Sequence, residues 1–215
     1  MAITNFATAD AASNALVNAA ARVGITPSVQ LSASQLESSV LANVMQGQLG
    51  GSSLATGPAA GITSGDGTIC ETAVVSEGGF KKTTFVIDLT GLASSTTDLD
   101  IIGNGAEPAY IGRITTAESG IIIGGTITCL EVPAGGVTTI DWYAATEGTG
   151  AFDTGIGTLT ETVMHTASGA STLGLVVPIV ADSVAANAYL YIVGGAAGTA
   201  AAYTAGRFRV ELIGV

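Results

Sequence analysis

"GRFRVELIGV", residues 206–215, closes the chain and decides how the rest of it is read. Phe208, Val210 and Leu212 alternate with Arg207, Arg209 and Glu211. That is the period of a β-strand with one face against a core and the other against water. The same signature recurs upstream in "AYLYIV" (188–193), "STLGLVV" (171–177), "GTLTETVMH" (157–165) and "VTTIDWYAAT" (137–146), where Ile140, Trp142 and Ala144 share a face. Further back come "TITCLEV" (126–132), "AYIGRITT" (109–116), "KTTFVIDLTG" (82–91) and "TICETAVV" (68–75). Gly, Asp, Asn and Pro separate these runs, and no helical period intervenes. Such spacing predicts a mainly β domain over 65–215, a β-sandwich or jelly roll of about 8–9 antiparallel strands.

The first 64 residues read differently. "DAASNALVNAAARVG" (10–24) places Asp10 as an N-cap, Leu16, Ala19, Ala20 and Val23 on one face, and Gly24 at the C-terminal cap. "SQLESSVLANVMQG" (34–47) opens on Ser34 and Glu37 at capping-box spacing and carries the stripe Leu36, Val40, Leu41, Val44, Met45. Two short amphipathic helices cannot bury their stripes alone, so 1–64 is expected to be a helical arm that clasps something else. "GQLGGSSLATGPAAGITSGDG" (47–67) is expected to be its flexible link to the β domain.

Composition narrows the function. Hydrophobic residues make up 47% of the chain and charged residues 11%, with a net charge of −11. A surface so poor in Lys and Glu must be clad in Thr, Ser, Ala and Gly, which suits close contact with other protein. Homo- or hetero-oligomeric burial is therefore expected. Seventeen acidic against six basic residues exclude the clustered cations that nucleic acid demands, and disfavour anionic membranes. No basic segment followed by an apolar block opens the chain, so it is read as soluble and made in a cytoplasm.

Candidate chemistry is sparse. His165 is the sole histidine; without Cys or carboxylates at ligand spacing it builds no zinc site, and without a G-x-S-x-G elbow no hydrolase triad. It reads as a satisfied strand histidine. Asp98 and Asp100 sit two apart as in calcium loops, but Ile102 follows where a third oxygen ligand belongs. The alternatives there are a turn closed by its own side chains, or a weak ion site completed by Asn104 or Glu107. "GTGAFDTGIG" (148–157) lacks the Lys of a phosphate loop and reads as a mobile connection. Cys70 and Cys129 are expected to be buried thiols, with a bridge left open. No cofactor, metal or catalytic residue is assigned, and the protein is read as a non-enzyme.

"TTFVIDLTGLASSTTDLDIIGNG" (83–105), "AYIGRITT" and "TIDWYAATEGTG" (139–150) resemble the β-rich, head-associated virion proteins of tailed bacteriophages, those of aquatic phages in particular. The likeness spans about 65–215 in its low charge and Thr/Ala/Gly-rich strands, and it transfers no functional residue. It implies a capsid decoration (cement) protein at the capsid surface of a virion. Such a protein works as a homo-oligomer, a trimer first of all, seated on a major capsid protein, with an arm reaching to neighbours. The expected subunit contacts are Leu36, Val40 and Val44 on the arm, and Arg207 and Arg209 on the closing strand, the arginines meeting acids of the same or an adjacent subunit. The alternative is a carbohydrate- or receptor-binding β-sandwich, a fibre or knob head, which requires Trp142, Tyr189 or Tyr191 to face solvent.

Overall fold

A computed structural model describes residues 51–198 and 200–215. The expected helices at 10–24 and 34–47, and with them Leu36, Val40 and Val44, lie outside the described residues. The strands in chain order are β1 (Gly51–Ser52), β2 (Ile69–Glu77), β3 (Phe80–Asp88), β4 (Ala93–Ser94), β5 (Gly112–Arg113), β6 (Ile122–Ala134), β7 (Ile140–Ala145), β8 (Glu161–His165), β9 (Val176–Val180), β10 (Tyr189–Gly194), β11 (Ala201–Ala202) and β12 (Ala205–Gly214). Two one-turn helices join them, α1 (Ala60–Thr63) and α2 (Thr116–Ser119). The domain is mainly β, and its strands from β2 onward pair antiparallel.

A six-stranded sheet runs β1-β2-β3-β12-β6-β9 and a four-stranded sheet β5-β10-β7-β8; β11 and β4 form a small third sheet. The closing strand thus occupies the middle of the larger sheet, not an edge. Its dry residues Phe208, Val210 and Leu212 are all buried, together with Phe85 and Ile87 of β3 and Ile127 and Cys129 of β6. They meet Ile140, Trp142 and Ala144 of β7 and Leu190 and Ile192 of β10 in one apolar core. The Trp142 and Phe208 rings touch edge to face, 5.5 Å between centroids, and tie the two sheets together. β2 and β3 are joined by Gly78 and Gly79, both at positive φ (56° and 92°), as a two-residue hairpin demands.

Several connections are built otherwise than the sequence suggests. The stretch 54–64, expected as flexible linker, belongs to the compact unit Ser52–Val215. Leu54 and Ile62 are buried in the core. The Ala59 and Gly61 amides donate to the carbonyls of Tyr110 and Pro108, and the Gly61 carbonyl accepts from the Asn104 amide. Gly61 lies so close to this backbone that a Cβ would stand 2.5 Å from the Glu107 oxygen. Glycine here allows close packing, and that is why a Gly-rich run reads misleadingly as linker. "AYIGRITT" yields only the two-residue β5, because Thr115 caps α2, its hydroxyl accepting the Glu118 amide and donating to the Glu118 carboxylate. The 148–157 connection is pinned and not mobile: Ala109 donates to the Gly150 carbonyl, the Gly150 amide to the Tyr191 hydroxyl, and Ile156 is buried.

Candidate functional site

The two large sheets differ in what lies on their outer faces. All six positions of β7 and five of the six of β10 are buried, so the four-stranded sheet is covered on both sides along its middle. Its outward Tyr191 is fully enclosed, donating to the Glu147 carbonyl at 2.9 Å. The chain around 99–103 also lies along β10, with Leu99 and Ile102 donating to Gly194 and Ile192. The outer face of the six-stranded sheet has no such cover among the described residues. It is the candidate contact surface.

That face has two halves. On β3 and β12 the outward residues are charged and paired in register. Arg207 lies opposite Asp88 and its guanidinium donates to the Asp88 carboxylate at 2.6 Å. Glu211 forms ion pairs with Arg209 at 3.2 Å and with Lys82 at 3.6 Å. Both arginines are thus engaged by carboxylates of their own chain. On β6 and β9 the outward residues are Val176, Pro178 and Val180, opposite Thr128, Thr126 and Gly124, with Ile123 and Leu130 exposed beside them. Where the halves meet, Gly124 and Gly125 floor an open groove of about 550 Å3 walled by Ile123, Ile213, Lys82 and Glu211. The groove exists because two glycines interrupt the row of side chains; a Cβ on Gly125 would drive into the Glu211 carbonyl.

The ionisable groups of the sequence reading are placed as follows. His165 pairs with Trp142 across β8 and β7. Burial holds its imidazole below the ordinary histidine range, against the pull of Asp141. Asp141 is 1% exposed, accepts the Ala167 amide at 2.7 Å, and is pushed above the usual carboxylate range by burial. The adjoining cavity, about 20 Å3 between His165, Ser171, Trp142 and Cys129, has room for a water and not for a substrate. Asp100 is buried and accepts from the Ser95 hydroxyl at 2.7 Å, while Asn104 donates to the Ser64 carbonyl at 3.1 Å. Asp100 thus ties the turn to Ser95, and Asn104 ties it to the distant Ser64. No group of three His, Cys, Asp or Glu side chains that could hold a metal ion occurs among the described residues.

Cys70 and Cys129 sit on one transverse row of the sheet, Cys70–Ile87–Phe208–Cys129. Three strand spacings of about 4.8 Å separate them by roughly 14 Å, twice the reach of a disulfide. Both are free; burial, with help from Glu71, pushes the Cys70 thiol up to about 12. Of the aromatic residues the glycan alternative relies on, Trp142 and Tyr191 are buried. Tyr189 is half-buried, its ring 4.8 Å from that of Tyr110 and 5.2 Å from the Arg113 guanidinium. The aliphatic β6–β9 half escaped the sequence reading. Alternation places Val176, Pro178 and Val180 on one side of a strand, but it cannot say that nothing covers that side. Comparison of the chain with protein-family models, with curated proteins and with solved structures returns no match.

Proposed function

We propose that this protein is a non-enzymatic structural component of a phage head, a decoration or cement protein that works through non-covalent contacts with copies of itself and with a major capsid protein. The observation that carries the reading is the outer face of the six-stranded sheet, uncovered among the described residues and half of it aliphatic, in a chain with 11% charged residues. Exposed aliphatic surface on a soluble domain is stabilised when another protein covers it. Support also comes from strand order. With β1 and β2 set aside, the sheets read β3-β12-β6-β9 and β5-β10-β7-β8. We read that interleaving of first with last strands as the order of an eight-stranded jelly roll, an architecture shared by viral capsid and lectin domains. The analogy of fold raises the virion reading without deciding it.

The lectin members of that architecture keep the carbohydrate-binding reading as the second one, and the half-exposed Tyr110–Tyr189–Arg113 cluster is what favours it. Light scattering on the full chain, with co-sedimentation onto phage heads stripped of decoration protein, tests the first reading. The expected results are a mass that is a multiple of 21.1 kDa and saturable binding to heads. A chain that stays monomeric at millimolar concentration and binds glycans in a Tyr189-dependent way would replace it with the second.

A further inference from the structure

We infer that the β6–β9 half of the open sheet face is the surface through which copies of this chain associate, with β9 of each copy turned toward the symmetry axis. The inference rests on the oligomeric reading above and assigns its interface. Ile123, Leu130, Val176, Pro178 and Val180 form the outward surface there, and Leu173 stands at its rim; Leu173, Val180 and Val176 are 71%, 66% and 56% exposed. Together they offer on the order of 500 Å2 of apolar surface, at the top of the range a monomer leaves open. A stable interface buries about 800 Å2 per partner, so this patch supplies the larger part of one.

Charge selects the occupant. The chain carries −11, so two copies repel wherever their charged faces approach. Residues 166–181 contain no ionisable side chain, and β9 lies within them. Along β9 copies can meet with few carboxylates brought together, Glu131 beside Leu130 and Asp182 after β9 lying at the margins. A basic partner would find its complement elsewhere on so acidic a chain. An uncharged aliphatic face fits its own like.

Pro178 also limits how the copies meet. β9 is the last strand of its sheet, and proline has no N–H to offer a further strand. Sheet continuation from copy to copy is therefore blocked at its midpoint. The contact is made by side chains packing across the outward face.

The test compares the full chain with V176D/V180D, and with I69D, which puts a carboxylate on the opposite, β2 side of the same sheet where Ile69 is 52% exposed. Sedimentation equilibrium should show V176D/V180D raising the dissociation constant by about a hundredfold or more, since two carboxylates would be buried unpaired, while I69D assembles as the parent does. A V180C variant treated with a short bismaleimide should give crosslinked copies, a readout that does not depend on the aspartates being tolerated. Unchanged assembly of V176D/V180D, an equal loss with I69D, or no crosslinking in an oligomeric V180C sample would each overturn this interface and leave the oligomeric reading standing. A parent chain that never exceeds 21.1 kDa would overturn both.

Discussion

Asp88 shows how one residue on the outer face is fixed by its neighbours. Burial pushes its carboxyl up, but the Thr90 hydroxyl at 2.7 Å, the Arg207 guanidinium at 2.6 Å and the Thr90 amide at 3.0 Å outweigh it and hold it below the usual range. A carboxylate with a depressed folded pKa contributes stability that is present above its unfolded value, near 3.9, and is lost as pH falls through the folded one. Asp88→Asn should therefore lower Tm by a few degrees at pH 7 and have little effect near pH 2, read by thermal melts at both. Asp141 has the opposite sign. Its raised pKa makes the ionised form a cost, so stability is present below the unfolded value and lost as pH rises through the folded one. Asp141→Asn keeps an oxygen for the Ala167 amide and should match the parent at pH 3 while equalling or exceeding it at pH 7. A loss of stability at pH 7 would contradict this account.

Two elements carry the domain's least expected energetics. β12 is flanked by β3 on one side and β6 on the other, so the larger sheet cannot close until the last residues of the chain are in place. The second element is the 54–64 strap with α1. Ile62 is fully buried, and Ile62→Ala should cost about 2–4 kcal/mol in urea denaturation. A chain beginning at residue 65 should be less stable than one beginning at 52 by more than that single substitution, because Leu54 and the backbone bonds to Tyr110 and Pro108 go with it. Equal stability of the two truncations would show that the strap adds nothing. The alternation in β3, β7 and β12 was legible as sequence because it is a local pattern. The strap was not, since glycine that permits close packing and glycine that permits motion are spelt alike.

At the scale of the whole molecule the ionic strength response separates two kinds of interface. If copies met through Arg207 and Arg209 and the acids of a neighbour, salt would screen the attraction and weaken assembly. Those arginines already satisfy Asp88 and Glu211 in their own chain. The face with β9 is uncharged and the remaining charge is repulsive. Association should therefore strengthen between 20 and 150 mM salt, by about severalfold in the association constant, as measured by sedimentation. Weakening over that interval would return the interface to the arginines.

The alternation of apolar side chains by itself determined the strands and the class of fold. Phe85/Ile87, Ile140/Trp142 and Phe208/Val210/Leu212 face a core wherever the strand is placed, because a period of two has only one way to keep them dry. The low charge determined that the exterior would be poor in ionic side chains and rich in Thr, Ser, Ala and Gly. Tertiary structure alone decided that β12 lies at the centre of its sheet, that Tyr191 is covered while Val176 and Val180 are not, and that Cys70 and Cys129 are three strands apart. Each of these depends on which distant segment lies beside which. A pattern of period two repeats in every strand and carries no record of its neighbour.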